Sequence, residues 1–266
     1  MPSCFTSLHA LIRTGTALAT SFGLATVAVP ADFALPRPLA NTDFHYDGAP
    51  DPALVDLGRM LFFDPILSGN RNISCGTCHD PARGTGDGLA LGIGEGGAGI
   101  GPERRTVNGV TGRVPRNAQP LYNIGARAYR SMFHDGRLEP DPQNVFQSGF
   151  WSPAREHLPA GLDNLLAAQA MFPVLSAIEM AGQKGENPVG TAVAEDRLAD
   201  AWALLAARLA ETPGYAAMFA AAFPHIRDGE PITFVDAANA LAAFQTTAFR
   251  SDASPFDRVL REGTTR

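Results

Sequence analysis

The sequence is poor in cysteine, in aromatic side chains and in long apolar runs. Three cysteines among 266 residues are too few for a disulfide-stabilised scaffold. No apolar run is long enough to cross a bilayer as a stable helix once the N-terminal segment is removed. Acidic residues outnumber Lys and Arg by 27 to 21, and the resulting net charge of −6 argues against nucleic acid as a partner. An apolar content of 45% indicates a globular protein of one large domain or two modest ones.

The first 31 residues have the pattern of an export signal. Arg13 supplies a positive charge, no acidic residue precedes Asp32, and residues 17–29 are mostly small and apolar. Small residues near Ala28 and Ala31 suit cleavage. The alternative is an N-terminal helix packed on the domain, but a segment rich in Ala, Thr and Gly makes a weak core helix. The sequence therefore predicts an exported, periplasmic protein.

Apolar spacing and helix-capping residues predict a mostly helical chain. Asp51 can cap a helix that begins at Pro52 and ends near Phe63. Four more helices are predicted, at residues 162–171, 194–211, 215–223 and 234–249, the last capped by Thr233. Strand-like alternation and internal repeats are lacking. The predicted fold class is all-α with long loops.

A glycine-rich loop extends over residues 84–112. Gly92, Gly94 and Gly97 within it match the dinucleotide-binding pattern G-x-G-x-x-G. That fingerprint requires a strand before the glycines and a helix after them, and neither is predicted here. A long irregular loop in a compact domain is more often functional than incidental, so we expect this segment to contribute to a site.

Cys75, Cys78 and His79 form a Cys-x-x-Cys-His motif, the attachment signature of c-type haem. Thiols at this spacing reach both vinyl groups of one porphyrin, and the histidine supplies an iron ligand. A zinc site is one alternative, but it needs a second ligand cluster, and the other histidines are scattered singly. A thioredoxin-type redox pair is the other, but the βαβ context is missing. The motif predicts one covalently attached haem c.

Five sequence segments, spread over residues 57–260, carry a resemblance to a known family. They are LGRMLFFDPILSGNRNISCGTCHDP (57–81), PRNAQPLYN (115–123), FHDGR (133–137), LLAAQAMFPVLSAIEM (165–180) and SPFDRVL (254–260). Together they resemble bacterial di-haem cytochrome c peroxidases and the related MauG-like enzymes, which oxidise protein side chains. In that family the N-terminal haem reacts with peroxide and the C-terminal haem relays electrons. Since the chain carries one haem motif, the resemblance implies the peroxidatic half, with the second half missing.

The resemblance implies roles for three residues of the haem site. His79 corresponds to the proximal iron ligand, Gln169 to a distal glutamine and Glu179 to the catalytic glutamate. A carboxylate above the iron can carry a proton from one peroxide oxygen to the other, and the glutamine amide can orient the peroxide. Read without the resemblance, Glu179 and Gln169 would be ordinary solvated polar residues.

Three other positions are implicated near the haem or between the two halves. By resemblance Asn117 matches a calcium ligand whose partners would come from the second half. Arg116 and Arg137 are candidates to pair with haem propionates, because the guanidinium fork suits carboxylates. The alternative for each arginine is a surface ion pair.

Two departures from the family concern histidine. Many members carry a histidine in the loop after the haem motif that blocks the iron until the second haem is reduced, whereas residues 80–133 contain none. His134 stands where a tryptophan often precedes Asp-Gly-Arg. We therefore expect an iron whose sixth position is open, and a changed route between haems.

These observations define an organisation and an expected function. The predicted segments are a signal peptide (1–31), an arm (32–50), a cytochrome c-like haem domain (51–231) with an insert (138–162), and a helix and linker (232–266). The expected protein is a periplasmic c-type haem oxidoreductase that reduces hydrogen peroxide or uses it to oxidise a partner protein. Its electron donor would be a cytochrome c or a cupredoxin. A non-catalytic electron-transfer cytochrome c is the alternative.

Overall fold

A computed structural model describes residues 35–107 and 111–262 of the chain. Two units divide the chain, Met1–Pro36 and Arg37–Arg266, and every element discussed below belongs to the second. The signal peptide predicted at residues 1–31 lies outside the described residues. No helix in the described part is long and apolar enough to cross a membrane.

The fold is helix-rich. Its α-helices are α1 (Pro52–Phe63), α2 (Cys75–Cys78), α3 (Leu165–Ala170), α4 (Pro188–Ala194), α5 (Leu198–Ala210), α6 (Pro213–Ala222), α7 (Pro224–Arg227), α8 (Phe234–Ala248) and α9 (Pro255–Glu262). Four two-residue strands form two antiparallel hairpins: β1 (Gly97–Ala98) pairs with β2 (Arg105–Thr106), and β3 (Glu139–Pro140) pairs with β4 (Phe150–Trp151). The prediction of an all-α chain therefore holds for the helices but missed these hairpins, which are too short to show alternation.

Helix α1 begins and ends as its sequence predicts. The Asp51 carboxylate accepts a hydrogen bond from the Ala53 amide at 2.7 Å, and Pro52 occupies the first turn. Leu54, Leu57 and Leu61 are buried on one side of the helix. Burying each leucine contributes about 1.5–3 kcal/mol, so this face anchors the segment that leads into the haem motif.

Helix α8 is the central helix of the core. The predicted cap at Thr233 is confirmed and is part of a capping box: the Asp236 carboxylate accepts from the Thr233 amide at 2.8 Å, and the Thr233 hydroxyl accepts from the Asp236 amide at 3.4 Å. Every residue from Asp236 to Thr246 is buried. Although the sequence analysis grouped this helix with a linker, the structure packs it against α1 and α3 in the same unit.

The helix predicted over residues 194–211 is confirmed as α5, but it begins at Leu198, four residues later than predicted, and a separate short helix precedes it. Asn187 caps a separate helix, α4, by accepting a hydrogen bond from the Gly190 amide at 2.8 Å. Asp196 then takes a left-handed conformation, with φ of 57°, which separates α4 from α5. Apolar periodicity continues across the break and therefore hid it.

The insert at residues 138–162 contributes to the core as well as to the surface. Leu138 and Leu158 are almost fully buried. Between them the β3–β4 hairpin carries Trp151, whose ring meets Phe146 edge-on at 4.8 Å between centroids. The insert is therefore an integral part of the unit.

The closest approach between α1 and α8 depends on Gly58. A Cβ atom at position 58 would lie 1.9 Å from the carbonyl oxygen of Ala240. We expect Gly58→Ala to lower the free energy of unfolding by about 2 kcal/mol or more, since overpacking outweighs the gain in helix propensity. Urea unfolding followed by circular dichroism measures this.

Gly214 on α6 provides the matched control, because a Cβ there meets nothing within 4 Å. Gly214→Ala should be neutral or stabilising by up to about 1 kcal/mol. Equal effects of the two substitutions would contradict the close approach of α1 and α8.

Candidate functional site

The two thiols of the haem motif lie one turn apart on the short helix α2. The Ser74 amide donates to the Thr77 hydroxyl at 3.1 Å and fixes the start of this helix. Both cysteines are free. Burial raises the pKa of Cys75 to about 12 and that of Cys78 to about 11. The site therefore presents two neutral thiols as neighbours on one helix.

The imidazole of His79 is oriented by a hydrogen bond to the backbone. Its Nδ1 lies 3.1 Å from the carbonyl oxygen of Thr85. Because a carbonyl oxygen can only accept, Nδ1 carries the hydrogen, and the lone pair of Nε2 is left for a metal. Burial lowers the pKa of His79, which favours the neutral form that binds metal.

These three side chains fit a c-type haem better than a zinc ion. Within residues 35–107 and 111–262, no three or more His, Cys, Asp or Glu side chains gather where they could hold a metal ion. A closed zinc site needs four such ligands. Cys75 and Cys78 could hold a porphyrin edge, and His79 could supply one ligand to its iron.

Glu179 is held beside the haem motif by its own flanking backbone. It lies in a wide helical turn, Ala177–Ala181. The Gly69 amide donates to the carbonyl of Met180 at 2.7 Å, and the Glu95 amide donates to the carbonyl of Ile178 at 3.1 Å. Gly69 precedes the motif and Glu95 follows it, so the two loops that flank Cys-x-x-Cys-His both bind the turn that carries Glu179.

The electrostatics of the site connect the same groups. Burial raises the pKa of Glu179, and the positive charge of Arg137 opposes that rise. For Cys78, burial raises the pKa most, the Arg104 charge lowers it, and the charges of Asp87 and Glu179 raise it further. Glu179 is therefore within electrostatic reach of both the thiol and the Arg137 guanidinium.

Arg137 lies over the ring of Phe133, and this ring contacts a second segment of the family resemblance, residues 165–180. Its guanidinium is 3.9 Å from the centroid of Phe133, and its Nη1 donates to Asp135 at 2.8 Å. The Phe133 ring meets Phe172 edge-on at 5.7 Å. The FHDGR segment thus packs against the segment that carries Glu179.

The other candidate residues from the sequence, Gln169, Arg116 and Asn117, are more exposed or make fewer contacts than Glu179. Gln169 is half-buried on α3, and its side-chain amide bonds to no other residue in the described ranges. Arg116 and Asn117 are exposed. The Asn117 amide group donates to the carbonyl of Leu89 and so ties its segment to the glycine-rich loop.

Sequence reasoning missed three buried charged residues of the glycine-rich loop, which are Asp87, Glu95 and Arg104. Asp87 is fully buried, and its Oδ2 has no hydrogen-bond partner among the described residues. Arg104 is 4% exposed, whereas its neighbour Arg105 is exposed and pairs with Glu103. Two adjacent arginines look alike in sequence, so nothing in the residue pattern shows which of them is buried.

A family model places the chain among known proteins. The model for di-haem cytochrome c peroxidase matches residues 52–265. The chain belongs to this family. The match contains the haem motif, the glycine-rich loop and the Glu179 turn.

Two characterised proteins are similar to this chain in sequence. MauG, the methylamine utilization protein of Paracoccus denitrificans, is 34% identical over 222 residues, which cover 79% of this chain and 45% of MauG. The cytochrome c551 peroxidase of Pseudomonas aeruginosa is 27% identical over 206 residues, covering 77% of this chain and 42% of the peroxidase. The chain thus spans less than half the length of either relative.

A solved structure supports the same assignment. A MauG-like protein associated with microbial copper homeostasis is similar over 90% of this chain and 52% of its own, with 26% sequence identity and a TM-score of 0.52. The helix-rich architecture described above is therefore the architecture of this family.

Proposed function

We propose that this protein is an exported c-type haem oxidoreductase that reduces hydrogen peroxide or uses it to oxidise a partner protein. The observation that carries the proposal is the attachment of the Glu179 turn to the loops on both sides of the haem motif, through Gly69 and Glu95. An acid–base group is thereby brought to the thiols and the imidazole that would hold the haem.

One haem c is proposed for this chain, held covalently by Cys75 and Cys78 with His79 as iron ligand. When bound, the haem would supply the iron site at which peroxide reacts and would pass on the electrons that a donor protein provides. A calcium ligand at Asn117 stays a prediction from the family resemblance. The exposed Arg116 and the ring-stacked Arg137 remain proposals for contacts with the propionates.

Glu179 is the group that transfers protons between the two oxygens of peroxide. Reduction of one hydrogen peroxide to two waters takes up two electrons and two protons. Heterolysis of the O–O bond is easiest when a proton leaves one oxygen and reaches the other, which departs as water. The Glu179 carboxylate performs both transfers as general base and then general acid, a role worth about 10²–10⁴-fold in rate.

The surroundings of Glu179 suit this double role. Burial makes the carboxylate a better base by raising its pKa, and the positive charge of Arg137 partly opposes that rise. Gln169 offers a side-chain amide that can donate to a peroxide oxygen and accept from its hydroxyl. We propose it as the group that orients peroxide.

The electrons come from a second protein. A cytochrome c or a cupredoxin would donate them one at a time, whereas a partner protein as substrate would be oxidised at its own side chains. One relative is named a cytochrome c551 peroxidase, which supports a cytochrome as electron donor. Oxidation of a partner protein is proposed from the resemblance to MauG-like enzymes. Export is proposed from the pattern of residues 1–31 and from the attachment of c-type haem outside the cytoplasm.

Replacement of the acid–base group tests the proposal. Glu179→Gln should slow the spectral change of the ferric protein on mixing with peroxide by about 10²–10⁴-fold, because the amide cannot accept the proton. Stopped-flow absorbance measures the rate. Glu211→Gln, at an exposed site after α5, is the control and should react like wild type. An unchanged rate in Glu179→Gln with haem retained would exclude this residue from the reaction.

The pH dependence should report the influence of Arg137. Because the carboxylate must be ionised to accept the proton, the rate should fall as pH drops through the pKa of Glu179. Arg137 lowers that pKa, so Arg137→Leu should move the midpoint to higher pH. Rate–pH profiles of the two proteins provide the measurement, with Arg227→Leu on the remote helix α7 as the matched loss of charge. A midpoint that stays in place or moves to lower pH would show that Arg137 does not act on Glu179.

A further inference from the structure

Arg104 is a buried cation that binds backbone carbonyls. Its Nε donates to the Ile93 carbonyl at 2.6 Å, its Nη2 to Gly94 at 2.6 Å and its Nη1 to Gly99 at 2.8 Å. It forms no ion pair with any residue in the described ranges. Burying a guanidinium is costly, and charge-assisted hydrogen bonds in a fixed fork offset that cost. The hydrogen bonds of the Arg104 side chain therefore stabilise one conformation of the glycine-rich loop.

Two of the three carbonyls that Arg104 binds, those of Ile93 and Gly94, belong to the part of the loop that touches the Glu179 turn. A Cβ at Gly94 would lie 2.0 Å from the Ile178 carbonyl oxygen and 2.9 Å from the Cα of Glu179. The next residue, Glu95, donates its amide to that same carbonyl. Contact this close requires glycine at position 94 and leaves little freedom for the backbone on either side.

The same loop is bound from its other side by the segment before the haem motif. Glu95 is buried, and its Oε1 accepts hydrogen bonds from two side-chain amides, Nδ2 of Asn70 at 2.8 Å and Nδ2 of Asn72 at 2.6 Å. Gly97 leaves room for the arginine, because a Cβ there would lie 2.8 Å from Nε of Arg104. Two independent sets of hydrogen bonds thus fix residues 93–97 against the Glu179 turn.

We infer that Arg104 is a positioning residue, which holds Glu179 in its catalytic place by fixing the glycine-rich loop against it. The inference rests on the proposed role of Glu179. The positioning role belongs to the buried Arg104 and not to its exposed neighbour Arg105. Geometry matters at this point because a displacement of about 1 Å at a reacting group costs about 10²-fold in rate.

Hydrogen–deuterium exchange of the haem-loaded protein tests the positioning without reference to activity. In Arg104→Leu the amides of residues 93–97 and 178–181 should exchange at least about tenfold faster than in wild type, because the carbonyls of Ile93 and Gly94 lose their bonds to Arg104 and the loop can separate from the Glu179 turn. Arg104→Lys should fall between the two, since an ammonium can bind fewer carbonyls. Arg105→Leu removes the same charge one residue away and should leave exchange unchanged.

A double-mutant cycle tests whether Arg104 acts through Glu179. Arg104→Leu should slow the reaction with peroxide by about 10–100-fold in the wild-type background and by less than about twofold in the Glu179→Gln background. Should Arg104→Leu fail to retain haem, Arg104→Lys compared with Arg105→Leu carries the same test, with a smaller loss in Arg104→Lys alone.

Two results would overturn the inference. One is unchanged exchange at residues 93–97 and 178–181 in Arg104→Leu. The other is an equal rate loss from Arg104→Leu in both backgrounds, which would mean that Arg104 acts independently of Glu179. A wild-type rate in Glu179→Gln would instead overturn the acid–base role, and the exchange data would still decide whether Arg104 holds the turn.

Discussion

The arrangement of the site depends on two backbone hydrogen bonds, one on each side of Glu179. The carbonyl of Ile178 accepts from Glu95 and the carbonyl of Met180 accepts from Gly69. Each donor lies in a loop that flanks the haem motif. The wide turn at Ala177–Ala181 presents these carbonyls outward to the loops instead of along a regular helix. The Glu179 side chain, which lies far from the motif in sequence, is thereby brought near it.

Each of those loops is fixed by a separate arginine. Arg208 on α5 donates to the carbonyls of Ile66 at 2.7 Å and Ser68 at 2.6 Å, and holds the segment that contains Gly69. Arg104 does the same for the glycine-rich loop. Helix α5 also packs on α8, so the core is connected to the site through Arg208. Two loops without regular structure are in this way each held by the side chain of a single arginine.

The sequence predicted the helices better than the loops, for physical reasons. Capping by Asp51 and Thr233 is local chemistry, and it identified the starts of α1 and α8 correctly. The break at Asp196 depends on a single left-handed residue, which apolar spacing does not reveal. The candidate acid Glu179 came from resemblance to a family. Its link to the haem motif, like the burial of Arg104, depends on tertiary contacts between distant segments.

The central claim is that a haem bound at Cys75, Cys78 and His79 presents an open iron position beside Glu179. Residues 80–133 contain no histidine, and the loop that contacts Glu179 through Gly94 is rich in glycine. The electron paramagnetic resonance spectrum of the purified ferric protein measures this directly. We predict a high-spin ferric signal that changes on adding peroxide without prior reduction. A low-spin signal typical of His/His or His/Met ligation, unaffected by peroxide, would contradict the account and indicate an electron-transfer cytochrome.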